Sequence, residues 1–379
     1  MYEHYMDNAA TTRVMKEARE AAVACMEECY GNPSSLHGAG MDAEAQLTQA
    51  RRRIAAVLKV SPAEIYFTSG ATESNNLVLF GTAKGRAKRG KTIITTEIEH
   101  ASVAHPIKAL EQEGFRIRRV SPREDGRYYA EDFARAVDGD TILVSFMLVN
   151  NETGTILPAE EIARACKRKK LDLLVHVDGA QGFCKMPISL RRSDIDALTF
   201  SGHKIYAPKG VGGLFLKRNV KLLPLLYGGE HERGLRAGTE AVPLIAALGV
   251  AAEKTHAQMA ENLHKYSRMK TLLVKGLAQF DEVALNSPEE GAPYIVNFSI
   301  RGMRSEIMLH FLESRGFYVS SGSACSKGAK THVLSALGLP EWRKDCAVRV
   351  SFGHENRLSE IPLLLEALKD GISDLFKSF

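Results

Sequence analysis

Two side chains that end apolar strands, a lysine and a carboxylate, carry the clearest chemistry in this chain of 379 residues. The word SGHKIYAPKG places Lys204 after the apolar run DALTF, beside Ser201 and His203. A lysine at the inner end of a strand is poorly solvated. Desolvation lowers its pKa and leaves a nucleophilic amine that can form a Schiff base. Lys209, five residues on, reads as an ordinary exposed loop lysine. Asp178 closes another apolar run in VHVDGAQG, twenty-six positions before Lys204. A lone carboxylate there needs a cationic partner, because burying an unpaired charge is costly. A protonated pyridine nitrogen is one such partner, and pyridoxal phosphate combines a Schiff-base lysine with an Asp opposite its ring nitrogen. Taken alone, Asp178 reads more readily as an N-cap for the segment that starts at Gly179.

Three further words add to the pair. TSGATESNN (68–76) reads as a strand, a turn of small residues and a helix start at Ala71 and Thr72. Free N–H groups and the helix dipole at such a start suit a phosphate. It is not a Walker A loop, and no GxGxxG points to a dinucleotide. TTEIEHAS brings His100 to another strand end, where an imidazole could stack on a cofactor ring and move protons near neutral pH. YVSSGSACSKGAK (318–330) sets Cys325 among glycines, serines and lysines with nothing apolar beside it. Nearby positive charge favours a thiolate.

The elements that must position these groups follow from the apolar pattern. From about Ser61 to Leu216, short continuous apolar runs alternate with amphipathic stretches. That predicts an α/β fold with a mixed, mostly parallel sheet sandwiched by helices. In such sheets ligands sit at the carboxyl ends of the strands. After about Ala252, long helical stretches mix with the strands YIVNFSI, GFYVSSG and CAVRVSFG, which predicts a smaller α+β domain. The expected division is 13–252 for the large domain, with 1–12 and 253–379 forming the small one that carries Cys325.

Composition narrows the field. The chain is 45% hydrophobic and 25% charged with a formal net charge of +5, ordinary for a globular protein and far from a nucleic-acid-binding signature. Basic clusters at 84–91 and 167–170 read as solvated helix ends. No apolar run approaches the ~20 residues that span a bilayer, and MYEHYMDNAATT lacks the order of a signal peptide. The six cysteines include no CxxC pair, which argues against a disulfide framework or a structural zinc site. A reduced, cytoplasmic protein without a metal is expected.

The words together resemble the NifS/IscS-type cysteine desulfurases, pyridoxal-phosphate enzymes of fold type I in the class V aminotransferase group. The similarity runs nearly end to end through YMDNAATT, YGNPSSLHGAG, TSGATESNN, TTEIEHAS, VNNETG, HVDGAQ, SGHKIYAPKG, GGEHERGLRAGT, SSGSACS and VRVSFG. The resemblance implies that Lys204 carries the cofactor, Asp178 pairs with its ring nitrogen, Gln181 bonds its phenolic oxygen and His100 stacks on its ring. Ala71, Thr72, Ser201 and His203 would hold the phosphate, and Thr239 would reach the phosphate of a second subunit in a homodimer with shared sites. Asn151 would contact cofactor and substrate, and Arg349 would clamp the carboxylate of L-cysteine in its planar fork.

The implied reaction takes sulfur from L-cysteine, releases alanine and leaves a persulfide on Cys325. An acceptor protein for iron–sulfur cluster assembly or for tRNA or cofactor thiolation would then receive it. Three departures stand out: GGEHE has Glu230 where a third glycine is common, SFGHENRLSE lacks the usual Asn-Thr, and the stretch from Cys325 to HVL is about two residues short. The last bears on the acceptor, since two residues span at most ~7 Å. Selenocysteine lyase, another class V lyase or aminotransferase, and a non-catalytic sulfur-relay scaffold are the competing readings. A mobile thiol argues against an aminotransferase, and the joint presence of Lys204, Asp178, His100 and Cys325 argues against a scaffold.

Overall fold

The computed structural model describes residues 3–321 and 332–376. In chain order the strands are β1 (His4–Tyr5), β2 (Ile65–Thr68), β3 (Thr92–Thr96), β4 (Arg116–Val120), β5 (Thr141–Met147), β6 (Leu174–Asp178), β7 (Ala197–Ser201), β8 (Gly212–Leu216), β9 (Val283–Leu285), β10 (Ile295–Ile300), β11 (Phe317–Tyr318) and β12 (Ala347–Ser351). The helices are α1 (Lys16–Glu28), α2 (Gly38–Leu58), α3 (Ala71–Arg86), α4 (Ala101–Gln112), α5 (Ala130–Ala136), α6 (Ala159–Lys169), α7 (Val242–Ala257), α8 (Met259–Leu277), α9 (Ser305–Ser314), α10 (His332–Ala336), α11 (Glu341–Asp345) and α12 (Glu360–Phe376).

Seven strands form the main sheet in the order β2-β8-β7-β6-β5-β3-β4. All neighbours pair parallel except β8, which runs antiparallel to both β7 and β2. Every residue of β3, β5, β6, β7 and β8 is buried, as expected for a sheet covered on both faces. Gly212 lets the antiparallel strand come close: a Cβ there would lie 2.7 Å from the Cα of Gly70, at the turn before α3. The α/β reading therefore holds. The words on β2, β3, β6 and β7 are not all on adjacent strands, because β8 separates β2 from β7 and β5 separates β6 from β3.

The strand β4, RIRRV, was not anticipated. Its three arginines, Arg116, Arg118 and Arg119, mark an edge strand, and charge on an edge discourages pairing with other chains. In the C-terminal part, β12-β10-β9 make an antiparallel sheet. Phe317 and Tyr318 of GFYVSSG form the short β11, which pairs with β1 of the N-terminal arm, and Ser320 bridges onto Arg349. Asp7 bridges onto Ser351, so the arm lies along the C-terminal strands before it reaches the main sheet.

One charge cluster differs from expectation. Lys167 is not a solvated helix end. Its Nζ lies 2.6 Å from Asp196 Oδ2, and both side chains are nearly buried. Lys170 folds back to donate to the Gly139 carbonyl. Lys167 Nζ also donates to the Leu171 and Leu173 carbonyls, and Lys170 Nζ lies 4.0 Å from Asp172. Among the described residues no helix is long and apolar enough to cross a membrane.

Candidate active site

A cavity of about 790 Å³ opens at the carboxyl ends of the parallel strands. Ala71, Thr72, His100, Asn151, Asp178, Gln181, Ser201, His203, Lys204 and Arg349 all line it, so ten positions expected from sequence converge on one space. Thr239 does not; it is exposed, in the segment that leads to α7. Cys325 lies outside the described residues. His332, seven positions later, lines the cavity and donates from Nε2 to the Glu99 carbonyl at 3.0 Å.

Lys204 ends the single turn Gly202–Lys204 that follows β7. Its Nζ donates to the carbonyls of Ala9 (2.6 Å) and Ala10 (2.7 Å), so the N-terminal arm forms the lid of the lysine's pocket. The His203 carbonyl in turn accepts from the Thr12 backbone N–H at 2.9 Å and fixes the arm against the turn. His203 Nδ1 meets the Thr11 hydroxyl at 3.2 Å. Burial, reinforced by Lys204, Lys209 and Lys185, pushes the His203 pKa down to about 4, so the ring is neutral. Lys209 is exposed, as expected, at the mouth of the cavity.

Asp178 is the last residue of β6 and is 4% exposed. The capping role expected of it is present. Oδ1 accepts from the Ala180 N–H at 2.9 Å and caps the turn, while Oδ2 accepts from Asn75 Nδ2 at 2.8 Å. Asn75 Nδ2 also donates to Ser102 Oγ at 2.9 Å, and the Ser102 hydroxyl lies 2.8 Å from His100 Nδ1. Because Nδ1 also accepts the Ser102 backbone N–H, it carries no proton, the hydroxyl is the donor, and the neutral ring keeps its proton on Nε2. Burial lowers the His100 pKa against the opposing pull of Asp178, with Lys204, His332 and His105 lowering it further. His100 sits four residues beyond β3, as the N-cap of α4 rather than at the strand end itself.

Arg349 lies in the middle of β12 and is 1% exposed. Its Nη2 donates to Asp7 Oδ1 at 2.7 Å and its Nη1 to the Asn151 carbonyl at 2.9 Å. Burial raises the Asp7 pKa, with Arg349 and Lys204 opposing. The Gln181 carboxamide donates from Nε2 to the Ala9 carbonyl at 2.8 Å. Glu99, 2% exposed and beside His100, has its pKa pushed up to about 8 by burial.

Pyridoxal phosphate fits this donor set. The helix α3 begins at the cavity with no side chain capping its first turn, which leaves backbone N–H groups for a dianion. A buried carboxylate suits a ring nitrogen that must stay protonated, and the volume is that of a cofactor site.

Asn75, Ser102, Asp7, Lys185 and the carbonyls of Ala9 and Ala10 were not anticipated. Asn75 had a signal: asparagine is a poor residue for a helix interior and rarely buried, and here it is fully buried on α3. The arm carbonyls had none, since their partners lie about two hundred positions away.

Residues 4–364 match the aminotransferase class-V family. The chain is 39% identical over 370 residues to the cysteine desulfurase IscS of Clostridium botulinum (strain Kyoto / Type A2), covering 96% of this chain and 93% of that one. Among solved structures, a NifS-like protein superimposes with a TM-score of 0.93 at 38% identity, covering 98% and 99% of the two chains. SspA in complex with cysteine superimposes with a TM-score of 0.81 at 34% identity, covering 92% and 99%.

Proposed function

The chain belongs to the aminotransferase class-V family, and from that membership we propose that it is a pyridoxal-phosphate-dependent cysteine desulfurase. What carries the reading is the convergence of Lys204, Asp178, His100 and Arg349 on one cavity in a chain whose relatives bear that name.

In this reading Lys204 holds the cofactor and Asp178 keeps the ring nitrogen protonated. The α3 start with Ser201 and His203 takes the phosphate, Gln181 the phenolic oxygen and His100 the ring face. When bound, pyridoxal phosphate supplies an electron sink for charge developing at the substrate Cα. Arg349 binds the substrate carboxylate, and Asn151 helps orient it. Once the substrate amine has taken its place, the freed Lys204 amine would take the Cα proton. His100, neutral with its proton on Nε2, manages protons between the thiols. The Cys325 thiolate would attack the substrate sulfur; the C–S bond breaks as the S–S bond forms, Cβ takes up a proton, and Lys204 returns the proton to Cα to give alanine.

Two features support a homodimer with shared sites. Thr239 stands exposed outside this chain's own cavity, free to serve another. Tyr30, Leu36, Met41 and Tyr227 are 78%, 97%, 65% and 82% exposed, costly for a lone chain. We also assign 13–252 to a large domain and 1–12 with 253–379 to a small one, a division supported by the separate sheets and by the pairing of β1 with β11. The five described cysteines are free thiols, which suits the cytoplasm. The persulfide passes to an acceptor protein of iron–sulfur assembly or of thiolation.

The test is mass spectrometry of the Cys325 peptide after addition of L-cysteine, with alanine measured in parallel. The reading expects one added sulfur atom on Cys325 and loss of alanine formation in Cys325→Ala. Alanine produced by Cys325→Ala at the native rate would overturn it.

A further inference from the structure

Lys185 stands one layer behind the cavity. Its stem is partly exposed, yet its head turns inward: Nζ donates to Gln181 Oε1 at 2.9 Å and lies 4.9 Å from the centroid of the Tyr294 ring. Tyr294 is buried and donates its hydroxyl to the Gln181 carbonyl at 2.8 Å. Among the described residues no carboxylate pairs with Lys185. The charged neighbours that act on it are two more cations, Lys204 and Arg349, together with the Cys184 thiol. A desolvated cation placed near other cations without a counter-ion is an expensive arrangement. It needs a reason beyond packing.

We propose that Lys185 is a positioning residue that locks the Gln181 carboxamide with its N–H edge toward the cofactor. An ammonium has three donors and no acceptor, so it tolerates only the amide oxygen of Gln181. The opposite end of the amide is then NH₂, and it faces the Ala9 carbonyl on the cavity wall. The flipped amide would set NH₂ against the ammonium and oxygen against a carbonyl, two repulsive contacts in place of two hydrogen bonds. A phenolate oxygen at the cavity requires the donor edge. Lys185 removes the alternative before any ligand arrives. Burial, followed by the charge of Lys204, pushes the Lys185 pKa down to about 7, so the lock holds where the amine is protonated, below about pH 7, and loosens above it, where a neutral amine can also accept.

This inference rests on the reading that Gln181 bonds the phenolic oxygen, and the experiment separates the two. The readout is the pH midpoint of the visible absorbance change of the bound cofactor in the holoenzyme. Gln181→Leu removes the donor and raises the midpoint by about one pH unit, the worth of one hydrogen bond to a charged oxygen. Lys185→Met raises it similarly, and the double variant raises it no further than Gln181→Leu alone. Lys185→Arg, which keeps donors only, retains the native midpoint. Lys185→Gln, which offers an acceptor as well and no longer dictates the amide's direction, shifts it and serves if the methionine variant does not fold. Additive shifts in the double variant would show that Lys185 acts by charge alone and overturn the proposal. So would a native midpoint in Lys185→Met. No shift in Gln181→Leu would remove the premise and the proposal together.

Discussion

The two walls of the cavity hold their charges in opposite ways. On one wall the Asp178 carboxylate leans on Asn75, and the same amide passes through Ser102 to His100, a line of neutral groups that ends in a neutral ring. On the other wall the cations Lys204 and Arg349, with Lys185 one layer behind them, are held mainly by oxygens of amides: the carbonyls of Ala9, Ala10 and Asn151 and the side chain of Gln181. Arg349 also has a carboxylate, Asp7, in contact. Lys167, in the same molecule, shows the structural alternative: it is closed by Asp196. A cation closed by a carboxylate is neutralised, whereas one fastened by dipoles keeps its charge available to an anionic ligand. The positive wall is therefore built to receive anions and the negative wall to hold one proton.

Breaking the positive wall at its centre has the largest effect. Lys204→Ala should lose covalent cofactor attachment and lower kcat by at least about a thousandfold, since it removes both attachment point and base; absorbance and steady-state alanine release check this. On the negative wall, Asp178→Asn keeps the shape and removes the charge. Its kcat should fall by about a hundredfold or more, with weaker cofactor retention on gel filtration. Arg349→Lys keeps the charge but loses the fork, and KM for L-cysteine should rise about tenfold to a hundredfold with a smaller change in kcat. An equal loss in kcat alone would assign Arg349 to the cofactor instead. Ser102→Ala cuts the line between Asn75 and His100 and should cost about fivefold to tenfold in kcat, leaving KM near native.

The smallest effects are on stability of the cofactor-free protein, and the sign differs between groups. Glu99 has a native pKa of about 8 against an ordinary 4.5, so the native state keeps a proton that the unfolded chain releases, and stability falls as pH rises through that window. Glu99→Gln should flatten that fall. His176 and His203 are both pushed down to about 4 by burial, so the unfolded chain takes up protons first. Stability should fall as pH drops from about 6.5 toward 4, and His176→Asn should shallow that limb. Denaturant titrations across pH measure both.

The sheet and the strand-end groups were legible because both announce themselves locally. Asp178 and Lys204 are polar residues at the end of apolar runs, and TSGATESNN is a strand, a turn and a helix start in nine residues. The helper groups were not. Asp7, Ala9 and Ala10 reach the site only because β1 pairs with β11 and Asp7 with Ser351, contacts more than three hundred positions apart. Ser102 acts through the rotamer of its neighbour His100, and Lys185 through an amide four residues back. No local pattern encodes such long-range or indirect roles. The β4 edge escaped notice for a different reason: its arginines serve the rim of the sheet, not its core.

The central claim is that the amine between the arm and Asp178 is the one that binds the cofactor. Hydride reduction of the holoenzyme, followed by peptide mapping, tests it most directly. A single pyridoxyl adduct on Lys204 is expected. An adduct on Lys185 or Lys209, with Lys204 unmodified, would contradict it.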